Sequence, residues 1–211
     1  MSFTLAVGRP TIADRILRRS LATDLVLIVA GTALTAGAAQ LSIPMWPVPI
    51  TGQTFAVLLV GTALGPVRGA LSMALYLVLG VVGLPIFTGA ASGSLIGMTS
   101  GGYIVGFVFA AALVGALAQR EWDRRVLGTL VSFLAGTVVI YAFGLPWLYV
   151  TLATFPDAVL TQYFGTTDLV QATLTGGLYP FLLGDAAKAL VAAALLPLGW
   201  RLVRAVERDD S

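Results

Sequence analysis

Long apolar runs, separated by short polar or Gly/Pro-containing stretches, fill most of the chain between residues 22 and 203. A helix that spans a bilayer needs about 20 apolar residues, because the hydrocarbon core is about 30 Å thick. The pattern predicts six transmembrane helices, at residues 22–42, 53–65, 67–83, 101–119, 126–147 and 173–203. The second and third are short and are separated by Gly65-Pro66, so a tight helical hairpin and a re-entrant piece are both compatible with them.

Composition supports this prediction. The chain is 58% hydrophobic and 10% charged, with a mean hydropathy of +0.94, whereas soluble domains carry about 25% charged residues. The sequence pI is near 9.2, but the net charge is only +2 and the basic residues flank apolar runs, so we expect no nucleic-acid partner. Cysteine and histidine are both absent from the sequence, which excludes disulfides, thiolate nucleophiles and imidazole bases and argues against a metal site. We therefore predict an all-α integral membrane protein.

The arginines predict the orientation of the bundle. If the six segments cross the membrane in alternating directions, all the arginines fall on the same side of it. The loops on the opposite side, at about 43–52, 84–100 and 148–172, contain no Lys or Arg. Cytoplasmic loops are enriched in Lys and Arg, so both termini are predicted to be cytoplasmic. The predicted organisation is a cytoplasmic segment at 1–21, a six-span domain at 22–203 and a cytoplasmic tail at 204–211. Arg68, at the turn after the second segment, is interpreted as a charge that sets topology rather than as a ligand contact.

The sequence contains one lysine, Lys188, and it lies inside an apolar segment three residues after Asp185. Residues three apart on a helix share a face, and ionisable residues at membrane depth are costly enough to mark functional sites. Counted along a helix, Lys188 lies about 20 Å and Asp185 about 24 Å from Arg201, so both are expected in the outer half of the membrane. We predict a polar pocket open to the outside, with Pro180 loosening the helix one turn before Asp185. The alternative is a purely structural ion pair.

The predicted outer loops and adjoining span ends carry further polar and aromatic residues, and Pro and Gly there favour ordered turns that could form a lid. The candidates for binding are Thr51, Gln53, Phe87, Thr99, Tyr103 and Trp147. Aromatic residues at span ends also serve as interface anchors, and that alternative stays open for Phe87 and Trp147.

Several runs of residues, in order over about residues 25–200, resemble the BioY family. They are Pro47-Val-Pro-Ile-Thr-Gly-Gln-Thr54, Leu64-Gly-Pro-Val-Arg-Gly-Ala-Leu-Ser72 continuing to Phe87, Thr99-Ser-Gly-Gly-Tyr-Ile-Val-Gly-Phe107, Tyr141-Ala-Phe-Gly-Leu-Pro-Trp147 and Pro180-Phe-Leu-Leu-Gly-Asp-Ala-Ala-Lys188. BioY proteins are the biotin-capturing S components of energy-coupling-factor (ECF) vitamin transporters. The resemblance implies a six-helix S component in a prokaryotic plasma membrane that binds biotin from the outer side.

The resemblance also implies partners. Family members work with a membrane T component and two cytoplasmic ATP-binding subunits, and some are thought to act alone. The chain contains no G-x-x-x-x-G-K-[ST] phosphate loop, so ATP would be used only by the partner subunits, and no cofactor is expected here. The literal Ala-x-x-x-Ala docking motif of S components is absent from the first helix. Two small-residue faces of similar use are Ala33/Gly37 and Gly31/Thr35/Ala39.

For biotin, the charged pair suggests specific contacts. Asp185 is expected to accept a ureido N–H and Lys188 to donate to the ureido oxygen. In the rival arrangement Lys188 meets the tail carboxylate. Gln53 would complete the ureido contacts, and Thr51 is a further candidate contact. Thr99 would lie near the tail, and Phe87, Tyr103 and Trp147 would pack the rings and the chain.

Two other function classes remain. A stand-alone ion-coupled carrier of biotin or another small carboxylate vitamin is the nearer alternative. An intramembrane hydrolase would need a serine–lysine dyad, with Ser72 or Ser132 beside Lys188, because histidine is absent. We expect a transport protein rather than an enzyme, in contact with membrane lipid and compatible with a homo-oligomer.

Overall fold

The computed structural model describes Leu5 and residues 8–209, with side chains as far as Val203. Within this range it is almost entirely helical. The helices are α1 Ile12–Ile16, α2 Leu21–Gln40, α3 Gln53–Leu64, α4 Pro66–Val81, α5 Gly101–Ala118, α6 Val126–Leu152, α7 Asp157–Phe164, α8 Leu169–Gly177 and α9 Tyr179–Asp209. Two short strands, β1 Ser42–Ile43 and β2 Ile50–Thr51, pair antiparallel between α2 and α3.

Four stretches are helical, long and apolar enough to cross a membrane: α2, α5, α6 and the stretch 169–203 that combines α8 with most of α9. The apolar helices α3 and α4 are shorter, with 12 and 16 residues, or about 18 and 24 Å of helix. Each of the six predicted segments begins within four residues of the start of a described helix, whereas α1 and α7 lie outside the predicted segments. The ends of α6 and α9 lie beyond the predicted ones, and α9 continues into the predicted tail, of which residues 210 and 211 lie outside the described range.

The turn between α3 and α4 is a direct helix-to-helix connection. Gly65 has φ of +86°, which a residue without Cβ adopts readily. Pro66 then occupies the first position of α4, where its missing N–H costs nothing. The two short segments therefore form a helical hairpin, the first of the two arrangements that the sequence allowed.

Helix α5 lies at the centre of the bundle and packs against α3, α4 and α6. Small residues allow this close approach: a Cβ on Gly61 would stand 2.5 Å from the Ala111 carbonyl oxygen, and one on Gly115 would stand 2.5 Å from the backbone of Gly65. Close backbone packing at small residues is typical of membrane bundles.

The α2 face formed by Gly31, Thr35 and Ala39 packs inside the protein. All three are buried, and the Thr35 hydroxyl donates to the Gly31 carbonyl and to Met73 Sδ on α4. The prediction that this face is a docking surface is therefore wrong, because α4 already covers it. Ala33 and Gly37, on the other predicted face, are exposed.

One end of the bundle, the Arg68 end, contains a buried ionic cluster that corrects the interpretation of Arg68. Its guanidinium contacts Asp14 Oδ1 at 2.7 Å and Asp24 Oδ1 at 3.3 Å, and all three side chains are at most 3% exposed. Burial raises the pKa of Asp14, but the Thr11 backbone N–H and the Arg68 guanidinium outweigh it, so the pKa lies below its ordinary value of 3.8. Arg68 ties α1 and α2 to α4 and is not an exposed flanking charge.

At the opposite end, the loops that follow α2, α4 and α6 are ordered by mutual contacts. The Trp46 ring packs on Tyr163 and Phe164 of α7, at centroid distances of 4.2 and 5.3 Å. The Gln40 side chain donates to the Phe87 carbonyl at 3.1 Å and accepts from the Ala90 N–H at 3.1 Å. These loops surround the cleft described below, so we call this the cleft end.

Candidate functional site

The buried Asp185–Lys188 pair lies in the second turn and beginning of the third turn of α9. This helix starts after a break at Leu178, and Pro180 is its second residue, where a missing N–H is tolerated. Asp185 is 8% exposed, and the side chain of Lys188 is 22% exposed. The break allows α9 to begin at the cleft end with both side chains directed into the bundle.

Lys188 joins α9 to the beginning of α3. Its Nζ donates to Asp185 Oδ1 at 3.1 Å, to the Thr54 hydroxyl at 2.7 Å and to the Thr51 carbonyl oxygen at 3.0 Å. An ammonium has three N–H donors, so each of them has one partner here. An acceptor atom of a ligand that binds Lys188 must therefore replace one of these three partners or share an N–H with one of them.

Asp185 is held by two hydroxyl groups in addition to Lys188. Thr54 Oγ1 lies 3.2 Å from Oδ1, and the Tyr141 hydroxyl, from α6, donates to Oδ2. The carboxylate thus receives donors from three helices, and these orient it toward the cleft. A carboxylate has about four lone-pair sites, which leaves capacity for a ligand N–H.

Gln53 is buried at the first position of α3, and both the oxygen and the nitrogen of its amide make hydrogen bonds within the protein. Nε2 donates to the Tyr76 hydroxyl at 2.7 Å, while Oε1 accepts from the hydroxyls of Thr51 and Thr88, each at 3.1 Å. The Tyr76 hydroxyl in turn donates to the Ile86 carbonyl at 3.1 Å. Gln53 therefore positions the loop after α4 beside the cleft.

The cleft itself is narrow and lies beside the charged pair. Its free space is about 40 Å³, which is enough for a few water molecules. Apolar side chains form much of its wall, with polar groups at a few points, as is common in small-molecule sites. The lining residues are Val48, Pro49, Thr51, Gln53, Thr54, Thr88, Ser100, Tyr103, Ile104, Phe107, Tyr141, Phe181, Asp185 and Lys188.

Of the other predicted site residues, Tyr103 lines the cleft, and its hydroxyl donates to the Gly177 carbonyl at 2.9 Å. The other three lie outside the lining. Thr99 donates to the Pro47 carbonyl, Trp147 Nε1 donates to the Met98 carbonyl at 3.0 Å, and Phe87 is 1% exposed beneath Tyr76 at a centroid distance of 5.4 Å. In this arrangement they support the loops around the cleft.

Sequence reasoning did not select Thr54 and Tyr141 as site residues, although both lie within the runs that carried the family resemblance. Each is a hydroxyl-bearing residue within or beside an apolar helix. That signal could have been used, but hydroxyls in membrane helices commonly bond to their own backbone. Only the packing of α3, α6 and α9 brings these two onto Asp185.

The described residues contain no group of three or more His, Asp or Glu side chains that could hold a metal ion. Neither candidate serine of a serine–lysine dyad contacts Lys188. Ser72 Oγ donates to the Arg68 carbonyl at 2.9 Å, and Ser132 Oγ is buried without a partner in the described structure. The site offers a charged donor, a charged acceptor and apolar walls, which is chemistry for binding rather than bond cleavage.

An apolar helix bundle with a buried carboxylate–ammonium pair beside a narrow cleft defines a membrane-embedded binding protein for a small polar molecule. Comparison with known proteins specifies the family. The BioY family model matches residues 11–205, and the chain belongs to the BioY family.

Relatives and a solved structure agree with this membership. The chain is 37% identical to the biotin transporter BioY of Thermotoga maritima, over 80% of this chain and 92% of that protein. It is 32% identical to the biotin transporter BioY of Rhizobium etli, over 82% and 90% of the two chains. The crystal structure of an S-component for biotin from an ECF-type ABC transporter superposes with a TM-score of 0.67, at 25% identity, over 89% of this chain and 92% of the other.

Proposed function

We propose that this protein is the biotin-binding S component of an ECF transporter in the plasma membrane, and that biotin binds in the cleft beside Asp185 and Lys188. The observation that carries the proposal is the orientation of this charged pair into a cleft in a member of the BioY family. Under this proposal α2 to α6 and the α8–α9 stretch cross the membrane, both termini are cytoplasmic, and the cleft end faces outward.

The contacts of the pair support recognition of the ureido group. Asp185 would accept one ureido N–H, and Lys188 would donate to the ureido oxygen in place of its contact with the Thr51 carbonyl. Thr54 and Tyr141 would keep the carboxylate oriented. Charge-assisted hydrogen bonds in a site that excludes water are strong and discriminate against ligands that lack the partner group.

Binding requires the cleft to widen, since biotin is many times larger than the few water molecules that fit now. Most residues of the segment 91–97, in the loop after α4, are exposed, and Ile96 in it is 87% exposed. Segments with few buried contacts open at low free-energy cost. We infer that this segment moves to admit the ligand.

ATP-driven transport would need partner subunits, because this chain contains no phosphate loop. We propose an ECF T component and two ATP-binding subunits as these partners. The exposed Ala33/Gly37 face of α2 is the small-residue surface still available for docking the T component.

The test is equilibrium binding of radiolabelled biotin to the detergent-purified chain, its Asp185→Asn and Lys188→Met variants, and an Asp168→Asn control. Asp168 caps α8 through its side chain, and Asn caps equally well. The control makes the same carboxylate-to-amide change outside the cleft lining. We expect saturable binding by the parent and the control, with a loss of about thirtyfold or more in each cleft variant.

Competition with biotin methyl ester distinguishes the two orientations. The ester keeps the urea but lacks the carboxylate, so it should compete well if Lys188 binds the ureido oxygen. A loss of competition by the ester, relative to biotin, that disappears in Lys188→Met would place the carboxylate on Lys188 instead. A folded parent that binds no biotin would overturn the proposed substrate, and equal binding by parent and cleft variants would make the pair structural.

A further inference from the structure

Positive charge is concentrated on the connection between α5 and α6, at the Arg68 end of the bundle. Arg120, Arg124 and Arg125 lie within six residues of one another, and Arg9 joins them through an ion pair of 3.2 Å with Glu121. Among the described side chains of this connection, the carboxylates are those of Glu121 and Asp123, so four arginines are matched there by two acidic groups. The connection is therefore a basic patch even when every carboxylate is ionised.

The patch is concave. Residues 120–131 enclose a groove of about 610 Å³ between the α5–α6 connection and the first turns of α6. Arg120 and Arg125 are exposed beside this groove, and their guanidinium groups make no ion pair or hydrogen bond with the described part of the chain. Two arginine side chains thus retain all their donors for an anion.

Arg124 forms the fixed wall of the groove. Its guanidinium carbon lies 4.4 Å from the ring centroid of Trp200, and NH1 contacts Glu121 at 3.0 Å. Trp200 also donates its indole N–H to the buried carboxylate of Asp123. These contacts hold one arginine in place, so less conformational entropy is lost when an anion binds next to it.

An apolar stripe continues from the groove along the outside of α6. Leu127, Val131 and Leu134 follow one another at helical spacing and are 72%, 40% and 53% exposed. Trp122, which is 40% exposed, lies at the edge between the arginines and this stripe. Tryptophan is enriched at the level of lipid headgroups. The arginines, then Trp122, then the apolar stripe therefore follow the same spatial order as the headgroup and the acyl chains of a lipid.

We propose that this groove binds the phosphate headgroup of an anionic membrane lipid, with the acyl chains along Leu127, Val131 and Leu134. Basic pockets on the cytoplasmic side of membrane helices suit anionic headgroups. The apolar stripe selects a lipid over a free anion, because inorganic phosphate would use the arginines alone. The site is separate from the biotin cleft, and it stands or falls independently of the proposed substrate.

The test titrates phosphatidylglycerol into the detergent-purified chain and follows the melting temperature, with phosphatidylcholine and inorganic phosphate as separate probes. An Arg120→Gln/Arg125→Gln variant removes the two unpaired cations. Arg201→Gln removes one cation at the same end of the bundle but outside the groove and serves as the control. A melting temperature close to that of the parent in the absence of added lipid verifies that each variant is folded.

We expect phosphatidylglycerol to stabilise the parent and the control saturably, and phosphatidylcholine and phosphate to have little effect. The double variant should need about thirtyfold more phosphatidylglycerol, since each arginine near an anionic surface contributes about fivefold. Equal stabilisation of parent and double variant by phosphatidylglycerol would overturn the site. An equal response of the parent to inorganic phosphate would overturn the assignment to a lipid.

Discussion

Two clusters of buried charge lie toward opposite ends of the bundle, and only one of them borders a cleft. At the Arg68 end, one guanidinium sits between two carboxylates, and all three side chains are at most 3% exposed. At the cleft end, one ammonium meets one carboxylate, and the lysine side chain is 22% exposed. The surrounding hydroxyls of Thr54 and Tyr141 are also directed at the second pair.

The difference separates a structural cluster from a candidate binding site. Arg68 connects three helices, and its donors are used by protein acceptors, so replacing Arg68 would remove the guanidinium that neutralises two buried carboxylates. Lys188 makes one of its contacts with a backbone carbonyl that a ligand oxygen can replace. A buried charged cluster is therefore not by itself evidence of a binding site. The Asp185–Lys188 pair is a candidate because it also borders a cleft.

The largest effect is expected at the Arg68 end. Arg68→Met leaves Asp14 and Asp24 without their buried partner, and we expect a loss of about 3–5 kcal/mol in the free energy of unfolding. Denaturant unfolding in detergent measures it. Arg19→Met removes a partly exposed ion pair with Asp14 and should cost less than Arg68→Met, because exposed ion pairs contribute at most about 1 kcal/mol. If Arg68→Met were as stable as the parent but unable to bind biotin, the assignment of a structural role to the Arg68 cluster would be wrong.

The next effect separates stability from binding at the cleft. Lys188→Met alone leaves Asp185 unpaired and should lower both stability and biotin affinity. The double change Asp185→Asn/Lys188→Met removes both charges, so it should regain about 2 kcal/mol or more of stability relative to Lys188→Met, while biotin binding stays lost. Unfolding and radioligand binding on the same preparations would show this. Recovery of both properties would reduce the pair to a structural role.

A smaller effect is expected for the hydroxyl that orients Asp185. Tyr141→Phe removes one hydrogen bond to the carboxylate and should weaken biotin binding by about tenfold, because a hydrogen bond to a charged group contributes about 1.5–3 kcal/mol and Thr54 and Lys188 remain. Tyr103→Phe is the matched control, since its hydroxyl bonds to the Gly177 carbonyl instead. Equal losses of affinity in the two variants would assign the effect to general packing.

The smallest effect concerns a fourth buried carboxyl, Asp123. Burial raises its pKa from 3.8 to about 6, although the Trp200 indole and Arg124 oppose the shift. The folded state therefore binds this proton more tightly than the unfolded state, so stability rises as the pH falls through 6 and is lost as the pH rises. Between pH 7 and pH 5 we expect a gain of about 1 kcal/mol from this group, which Asp123→Asn should abolish. An unchanged pH dependence in that variant would contradict the assignment.

The starts of the six predicted segments could be predicted from the sequence because each apolar run has a definite length and is bounded by Gly, Pro or a charged residue. The burial of Arg68 was not accessible. Its position in a short turn beside Pro66 is typical of an exposed flanking charge, and its two acidic partners lie 54 and 44 residues away in the chain. The inward orientation of Gly31, Thr35 and Ala39 was missed for a related reason. A small-residue face serves either for packing inside the bundle or for docking, and the sequence alone does not say which.

The sequence by itself determined the class of protein, the approximate helix boundaries and the one charged pair within an apolar run, because hydropathy and i, i+3 spacing are local properties. Only the tertiary structure decided which polar groups surround that pair, that Gln53 is committed to Tyr76 and the adjacent threonines, and that Phe87 and Trp147 support loops rather than line the cleft. These features depend on side chains from helices distant in sequence meeting at one place. Their contacts depend on how α3, α5, α6 and α9 pack, which no local pattern specifies.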